Sequence, residues 1–231
     1  MTETTIRAVL IGKAVPFGPP GRAGNSAIAK TPVDGPRAVG PEGFLDDEQG
    51  DRRVHGGPDK AIHHYPLDHH PAWVADLGND IPLLGKPGAF GENISTLGLT
   101  EADICVGDRF RAGTALLEVA QGRQPCWKLN HRFGVPDMAR RVQTTGRTGW
   151  YYRVPEPGVI GPGDRLELVE RPYPQWTLTR LLHVLYVDTM NREALAEMAA
   201  LPVLAQAWRT LAERRLDRNA VEDWDGRLKG K

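Results

Sequence analysis

The sequence predicts a mainly β domain followed by a small bundle of three helices. Glycine and proline contribute 26 and 19 of the 231 residues, and they are scattered between short β-branched and apolar runs. Short strands divided by such turns are typical of a β-barrel or a β-sandwich. Near residue 172 the pattern changes, and apolar residues recur at helical spacing. We therefore predict a β-barrel-like domain with a few short helices over 1–171 and a three-helix domain over 172–231.

The first part of the chain carries one strand pattern after another. Residues 6–11 are β-branched and apolar, and 26–33 follow with Ile28 and Lys30 on one face, because side chains of a strand alternate. A short helix is predicted over 68–77, where apolar residues share a face. Further strands are predicted at 60–65, 100–110, 115–120, 151–154 and 165–169.

Three helices are predicted in the second part. Thr177 and Asn191 carry side-chain oxygens of the kind that cap helices, and Pro202 ends the second helix. Each helix has an apolar stripe that we interpret as core packing. The stripes contain Leu178, Leu181, Leu182 and Leu185, then Leu195, Met198 and Ala199, then Leu204, Ala207, Trp208 and Leu211.

Charge and composition exclude several classes of protein. There are 29 Lys and Arg against 29 Asp and Glu, whereas proteins that bind nucleic-acid polymers usually carry a basic surplus. The longest stretch without these four residue types is 198–208, far short of the roughly 20 apolar residues of a membrane span. The N-terminus lacks the pattern of a signal peptide. We expect a cytoplasmic protein with reduced cysteines.

Cys126 is the residue best suited to chemistry. Arg123 and Lys128 flank it, and nearby positive charge favours the thiolate, the form that attacks or binds soft metals. Pro125 favours a loop or a strand edge. A buried, inert cysteine is the alternative that these residues leave open. We prefer that interpretation for Cys105, which lies between apolar residues.

Two turns that contain glycine add polar groups. His55 precedes Gly56 and follows Arg53, which predicts a cationic, anion-binding turn with an imidazole for proton transfer. An ordinary glycine turn is the alternative. Asn93 follows a glycine in the second turn, where such residues are common.

The histidine pairs at 63–64 and 69–70 raise a further possibility, a zinc-dependent hydrolase. Their spacing matches no common zinc motif, and no cysteine lies near them. The sequence also has no phosphate loop, no dinucleotide-binding glycine pattern and no nucleophile elbow.

The candidate residues share one chemical theme, a thiol among cations and hydrogen-bond donors. The cations and donors of such a set predict a bound anion, and the thiolate predicts that this anion contains a soft metal. A pterin-dithiolene metal cofactor, which is anionic and carries phosphate, would fit. The set consists of Lys30, Arg53, His55, Asn93, Arg123, Cys126, Lys128 and Arg153.

Four blocks in this order and spacing resemble the MOSC domain, which is found at the C-terminus of molybdenum cofactor sulfurases. They are HGGPDKA at 55–61, FGENIST at 90–96 with GLTE at 98–101, VGDRF at 106–110 and PCWKLN at 125–130. SAIAK at 26–30, TGRTGWYYRV at 145–154 and the helical tail are similar to the YiiM subfamily. The resemblance covers nearly the whole chain. It departs at Gly122, where relatives often have proline, and we expect this change to loosen the loop before Cys126.

The resemblance implies a β-barrel-like core, a C-terminal three-helix domain and molybdenum cofactor (molybdopterin) with Cys126 as the metal ligand. Family-level descriptions also include pyridoxal phosphate binding. Cys126, His55 and Lys30 match positions of the family's pocket and are the predicted catalytic residues, with His55 as proton donor. The predicted cofactor-binding residues are Lys30, Arg53, His55, Gly56, Asp59, Asn93, Arg123, Lys128 and Arg153.

The resemblance also implies a reaction, the reduction of N-hydroxylated compounds such as hydroxylaminopurine to amines, which is a detoxification. Because the chain has no flavin, haem or iron–sulfur motif, electrons would come from a separate flavoprotein or iron–sulfur reductase. We expect small-molecule substrates, no nucleic-acid polymer and no membrane as partners, and the apolar surface of the helical tail would suit a homodimer. Two alternatives stay open, a sulfur-transfer protein with a persulfide on Cys126 and a non-enzymatic carrier of the cofactor.

Overall fold

The computed structural model describes residues 3–19, 24–50, 56–78 and 81–230. Within these residues the strands are β1 (Glu3–Thr5), β2 (Ala8–Ile11), β3 (Val15–Phe17), β4 (Gly24–Ser26), β5 (Thr31–Pro32), β6 (Arg37–Gly40), β7 (Gly43–Phe44), β8 (Ile62–Pro66), β9 (Ile94–Thr96), β10 (Arg109–Ala112), β11 (Ala115–Gly122), β12 (Trp150–Glu156), β13 (Gly158–Ile160) and β14 (Arg165–Glu170). The helices are α1 (His70–Leu77), α2 (Lys128–Phe133), α3 (Met138–Thr145), α4 (Leu178–Tyr186), α5 (Arg192–Ala200), α6 (Gln206–Arg218) and α7 (Asp225–Lys229). Short 3-10 turns lie at Pro58–Lys60, Leu67–His69 and Pro82–Gly85.

Nine strands form one sheet in the order β1-β14-β10-β11-β12-β8-β9-β2-β5, in which β8 and β9 are parallel. Only Ile6 and Arg7 join β1 to β2, yet these strands occupy the first and eighth positions. In a flat sheet they would lie about 33 Å apart. The connection spans at most about 11 Å. The sheet must therefore curl until its ends approach, and this gives the domain its barrel-like form.

The predicted fold class, a mainly β domain with a C-terminal helical part, is confirmed. β11 is buried along its whole length, so both of its faces are covered and its buried residues do not alternate with exposed ones. It pairs with β10 and β12 in the middle of the sheet, and register shifts between β11 and β12 bend this pair of strands. None of the helices in the described residues is both long and apolar enough to cross a lipid bilayer.

Two predicted strands differ from the observed ones. Residues 26–33 are extended only at their ends, in β4 and β5, and the residues between them form a loop. The prediction of a strand over 100–110 is wrong. The Asp108 carboxylate accepts the Cys105 N–H at 2.8 Å, and Gly107 adopts a φ of 81°. This side chain and this backbone angle make a turn, so β10 begins only at Arg109.

The helical part begins as its caps predict. The Thr177 side chain accepts the N–H of Arg180 at 3.1 Å, and the Asn191 side chain accepts that of Ala194 at 3.0 Å. Pro202 lies just beyond the end of α5. α4 and α6 pack against the end of β11, and they are followed by α7, which the apolar pattern did not predict.

A second apolar cluster lies between β8, α1, α2 and α3. Tyr65 stacks on Phe90 with ring centroids 3.9 Å apart, and its hydroxyl accepts a hydrogen bond from Trp73 Nε1 at 2.6 Å. Leu129 and Phe133 of α2 pack into the same cluster. It anchors α2, which directly follows Cys126. The helices α2 and α3 were not predicted.

Candidate functional site

One cleft brings together half of the predicted site residues. It encloses about 590 Å³ of empty space, part of which is open to solvent. The loop between β4 and β5 forms one wall, and the segment after β11 forms another. Five predicted site residues line it, namely Lys30, Asn93, Arg123, Cys126 and Lys128.

Cys126 lies in the irregular segment that connects β11 to α2. The Arg123 N–H donates to the carbonyl of Gly149, the residue just before β12, at 3.0 Å, and this bond holds the start of the segment. The Cys126 carbonyl accepts the N–H of Leu129 at 2.9 Å and so begins the turns of α2. Cys126 is half-buried, whereas Cys105 is buried against Pro174. Of the two cysteines, only Cys126 lines this cleft.

Lys30 is held by a buried ion pair with Asp47, and each side chain is only 8% exposed. Asp47 also accepts the Gly12 N–H at 2.7 Å and the Asn93 side-chain amide at 2.8 Å. Asn93 in turn accepts the His63 N–H at 3.1 Å. These contacts join the loop that carries Lys30 to β2 and β8. Burial lowers the pKa of Lys30, and Asp47 opposes that shift by favouring the charged amine.

Cations outnumber carboxylates among the described residues that line the cleft. Lys30, Lys60, Arg123 and Lys128 stand against Asp47 and Glu48. Arg123 is 6% exposed, and its Nη1 is buried without a hydrogen-bond partner among the described residues. Lys128 donates to the Asn25 carbonyl at 3.1 Å. A buried guanidinium N–H that lacks an acceptor is costly, so this end of the cleft is suited to an anion.

Lys60 is a cleft residue that the sequence analysis did not assign to the site. It ends the 3-10 turn that follows Gly57, whose φ of 91° favours glycine. Burial lowers the pKa of Lys60, while the charges of Asp59 and Cys126 act in the opposite direction. Lys60 could have been assigned from the sequence, because it lies in the turn after the HGG block and that turn was already predicted to be cationic.

His63 and Tyr151 form the floor of the cleft and were also not assigned to it. They face each other across β8 and β12, with ring centroids 4.9 Å apart. Burial and the nearby charge of Arg123 hold the pKa of His63 well below 6.5, so the imidazole is neutral at neutral pH. Burial raises the pKa of Tyr151, so its hydroxyl keeps its proton. His63 Nε2 is buried without a hydrogen-bond partner among the described residues.

Two predicted cofactor-binding residues, Arg153 and Asp59, do not line the cleft. Arg153 Nε donates to Asp59 at 2.5 Å, and its Nη1 donates to Glu118 at 2.9 Å and to the Val203 carbonyl at 2.7 Å. The Arg153 guanidinium therefore connects β12 to β11 and to the helical part. The structure therefore does not bring Arg153 and Asp59 into the cleft that contains Cys126.

Three predicted site residues remain, of which the structure describes one. Gly56 precedes the turn at Pro58–Lys60 and is not among the residues that line the cleft. Arg53 and His55 lie outside the described residues.

The four histidines of the zinc alternative have separate environments. Both ring nitrogens of His64 are used, by the Tyr152 hydroxyl at 3.0 Å and the Thr96 hydroxyl at 2.8 Å. His69 contacts Glu101 at 2.7 Å, and His70 contacts a backbone carbonyl. In the part of the chain that the structure describes, no three His, Cys, Asp or Glu side chains converge as metal ligands. The geometry gives no support to a zinc hydrolase.

The loosening expected at Gly122 is not found. Gly122 is the last residue of β11, is buried and pairs with Trp150. Leu182 and Trp208 approach to 3.2 Å of the position that a Cβ would occupy. The glycine thus lets the helical part pack directly on the strand that leads to Cys126.

The fold and the cysteine-centred cleft define a MOSC-domain protein, and comparison with known families shows the same. Residues 51–167 match the MOSC domain, and residues 176–219 match the YiiM-like, 3-alpha helix domain. The chain belongs to the YiiM family of MOSC proteins.

Similar proteins cover nearly the whole chain. Protein YiiM of Escherichia coli (strain K12) is 40% identical over 220 residues, which are 95% of each chain. The crystal structure of YiiM from Escherichia coli matches with a TM-score of 0.83 and 30% identity, and it covers 99% of each chain. A protein named Reductase from Gibberella moniliformis is 40% identical over 179 residues, 77% of this chain and 32% of that protein.

Proposed function

We propose that this protein binds molybdenum cofactor in the cleft through Cys126 and reduces N-hydroxylated compounds to amines. The observation that carries the proposal is the half-buried Cys126 thiol in a cleft where cations outnumber carboxylates. The MOSC domain is in general of the type that binds this cofactor. The relative named Reductase supports a reductive reaction.

The donor set of the cleft fits an anionic group centred on a thiophilic metal. A cysteine thiolate is a soft ligand, and Arg123 Nη1 is a buried donor without an acceptor among the described residues. Lys60 and Lys128 lie along the same cleft and would balance phosphate and oxo charge. Zinc would instead require several His, Cys or carboxylate ligands, which do not converge in the described residues.

The overall reaction is R–NH–OH plus two electrons and two protons, giving R–NH₂ and water. When bound, the cofactor supplies two-electron redox and oxygen-transfer chemistry. Cys126 Sγ would ligate the metal, and the ion pair with Asp47 would keep the Lys30 amine charged and fixed in the cleft. His63 is neutral and Tyr151 protonated, so both can offer hydrogen bonds to an uncharged substrate without adding charge to the cleft. His55 stays the predicted proton donor, and a separate flavoprotein or iron–sulfur reductase stays the predicted electron source.

The direct test measures molybdenum and zinc in the purified full-length chain, produced in a host that makes the cofactor. We expect about one molybdenum atom per chain in the wild type and a loss of the metal in Cys126→Ser, because the variant lacks the soft ligand. Cys105→Ser is the matched control, since Cys105 is buried away from the cleft. The cofactor assignment fails if a folded wild-type chain takes up no molybdenum even after the cofactor is added back.

The two open alternatives give different results. A sulfur-transfer protein would show a mass increase of one sulfur atom on Cys126 and no molybdenum. A carrier would hold molybdenum yet fail to convert hydroxylaminopurine with any electron donor. A reductase would hold the metal and produce the amine when a chemical or enzymatic reductant is supplied.

A further inference from the structure

The C-terminal helix α7 lies against the segment that carries Cys126. The Trp127 N–H donates to the Arg227 carbonyl at 2.9 Å, and the Asn130 side chain donates to the Leu228 carbonyl at 2.9 Å. The Arg227 guanidinium donates to the Pro125 carbonyl. The residues on both sides of Cys126 are therefore bonded to one short helix about a hundred residues further along the chain.

This segment depends on contacts from outside. Residues 123–127 belong to neither β11 nor α2, and Pro125 has no N–H to donate. Its backbone is held at Arg123 by the residue just before β12 and at Pro125 and Trp127 by α7.

Arg227 also joins the segment to two further helices. Its Nη2 donates to Gln143 of α3 at 2.6 Å, and its guanidinium lies 5.8 Å from the ring centroid of Tyr186 on α4. Leu228 is 2% exposed and fixes α7 in the protein.

The chain just before α7 is itself anchored in the helical part. Glu222 accepts hydrogen bonds from the buried guanidinium of Arg215 at 2.7 and 2.9 Å and from Trp224 Nε1 at 2.8 Å. The Trp224 ring packs edge-on against Tyr186, with centroids 5.7 Å apart. α7 is thus a bridge between the helical part and the Cys126 segment.

We propose that Arg227 is a positioning residue that holds the Cys126 thiol in the cleft by fixing the Pro125 carbonyl. The helical part of the chain then acts on the site through α7. The proposal rests on Cys126 as the working thiol of the cleft, whichever group the thiol binds.

The test follows the alkylation of both cysteines by iodoacetamide at one fixed pH, with mass spectrometry to quantify each site. The full chain is produced in a host that cannot make the cofactor, so no bound group covers the thiol. We expect Arg227→Gln to raise the rate at Cys126 about tenfold, as losing a charge-assisted hydrogen bond would free the segment. Arg227→Lys should restore part of the protection. Lys229→Gln, on the exposed side of the same helix, should match the wild type.

The buried Cys105 reports unfolding within the same samples. The proposal requires the rate at Cys105 and the melting temperature to stay at the wild-type values in Arg227→Gln. An unchanged rate at Cys126 would overturn it. Equal acceleration at both cysteines in both Arg227→Gln and Arg227→Lys would also overturn it, because Arg227 would then support the whole fold. Since no metal is involved, a failure of the molybdenum assignment would leave this result unaffected.

Discussion

At the scale of single residues, the pair of Lys30 and Asp47 has the largest predictable energetic effect in the cleft. Both side chains are 8% exposed, so removing one charge leaves the other buried and unpaired. We expect Asp47→Asn to lower the free energy of unfolding by about 3–5 kcal/mol, measured by urea denaturation. The double variant Lys30→Met/Asp47→Asn should recover part of that loss, since it removes both charges.

The matched control for this prediction is Glu48→Gln. Glu48 pairs with Lys13 at 3.0 Å, but the two side chains are 45% and 67% exposed. An exposed pair contributes little, so we expect Glu48→Gln to leave the free energy of unfolding essentially unchanged. Equal effects of Asp47→Asn and Glu48→Gln would contradict the assignment of a buried ion pair.

The residues of the cleft divide into those that a local motif reveals and those that only the fold brings in. Cys126, Lys128 and Arg123 are neighbours in one block, so their shared position could be predicted. The mutual ion pair of Asp59 and Arg153 could not be predicted, because it joins residues 94 positions apart. The sequence shows which residues are charged, but it does not show which of them form ion pairs in the folded protein.

At the scale of elements, the helix caps provide a direct test of local sequence signals. The Thr177 side chain accepts the N–H of Arg180 in the first turn of α4. We expect Thr177→Ala to cost about 1 kcal/mol of unfolding free energy, since it leaves that N–H without its acceptor. Thr179→Ala is the control, because Thr179 is exposed and lies within the helix two residues further on. The same chemical change there should leave the free energy of unfolding nearly unchanged or slightly raised. Similar losses for both variants would mean that the cap contributes nothing.

The elements that were predicted correctly are those with signals inside the element. α4 and α5 have caps and apolar stripes, whereas α2 has only six residues and owes its place to packing around Phe90 and Phe133. The strand expected over 100–110 failed because one aspartate side chain competes with strand pairing at Cys105. Packing and side-chain competition of this kind are not visible in apolar periodicity.

At the scale of the whole molecule, the closed arrangement of the sheet follows from connectivity rather than from any strand pattern. The two-residue link between β1 and β2 forces the first and eighth strands together. β8 and β12 lie in the middle of this sheet, where His64 is fully buried and His63 is buried at the wall of the cleft. Sequence alone predicted a zinc alternative for these histidines because it could not show this burial.

That burial predicts a stability that falls in mild acid. Burial lowers the pKa of His64 from 6.5 to about 3, and no charged group contributes to the shift. Well above pH 6.5 the imidazole is neutral in the folded and unfolded states, so its titration does not change the stability there. Below that pH the unfolded chain takes up a proton that the folded protein cannot accept, so stability falls as the pH falls. Through His64 alone, the free energy of unfolding should fall by about 2 kcal/mol between about pH 6.5 and about pH 5. The lowered pKa of His63 should reduce the free energy of unfolding further over the same range.

Urea denaturation across this pH range measures the slope directly. In His64→Gln the amide can still hydrogen-bond to Tyr152 and Thr96, but it takes up no proton in either state. The variant should therefore keep only the His63 part of the slope, about one proton fewer than the wild type. His131 lies at an exposed position and is not part of the buried pair, so His131→Gln serves as the control and should keep the slope of the wild type. A slope in His64→Gln equal to that of the wild type would show that His64 is protonated in the folded protein, and the closed, dry interior of the sheet would be disproved at that position.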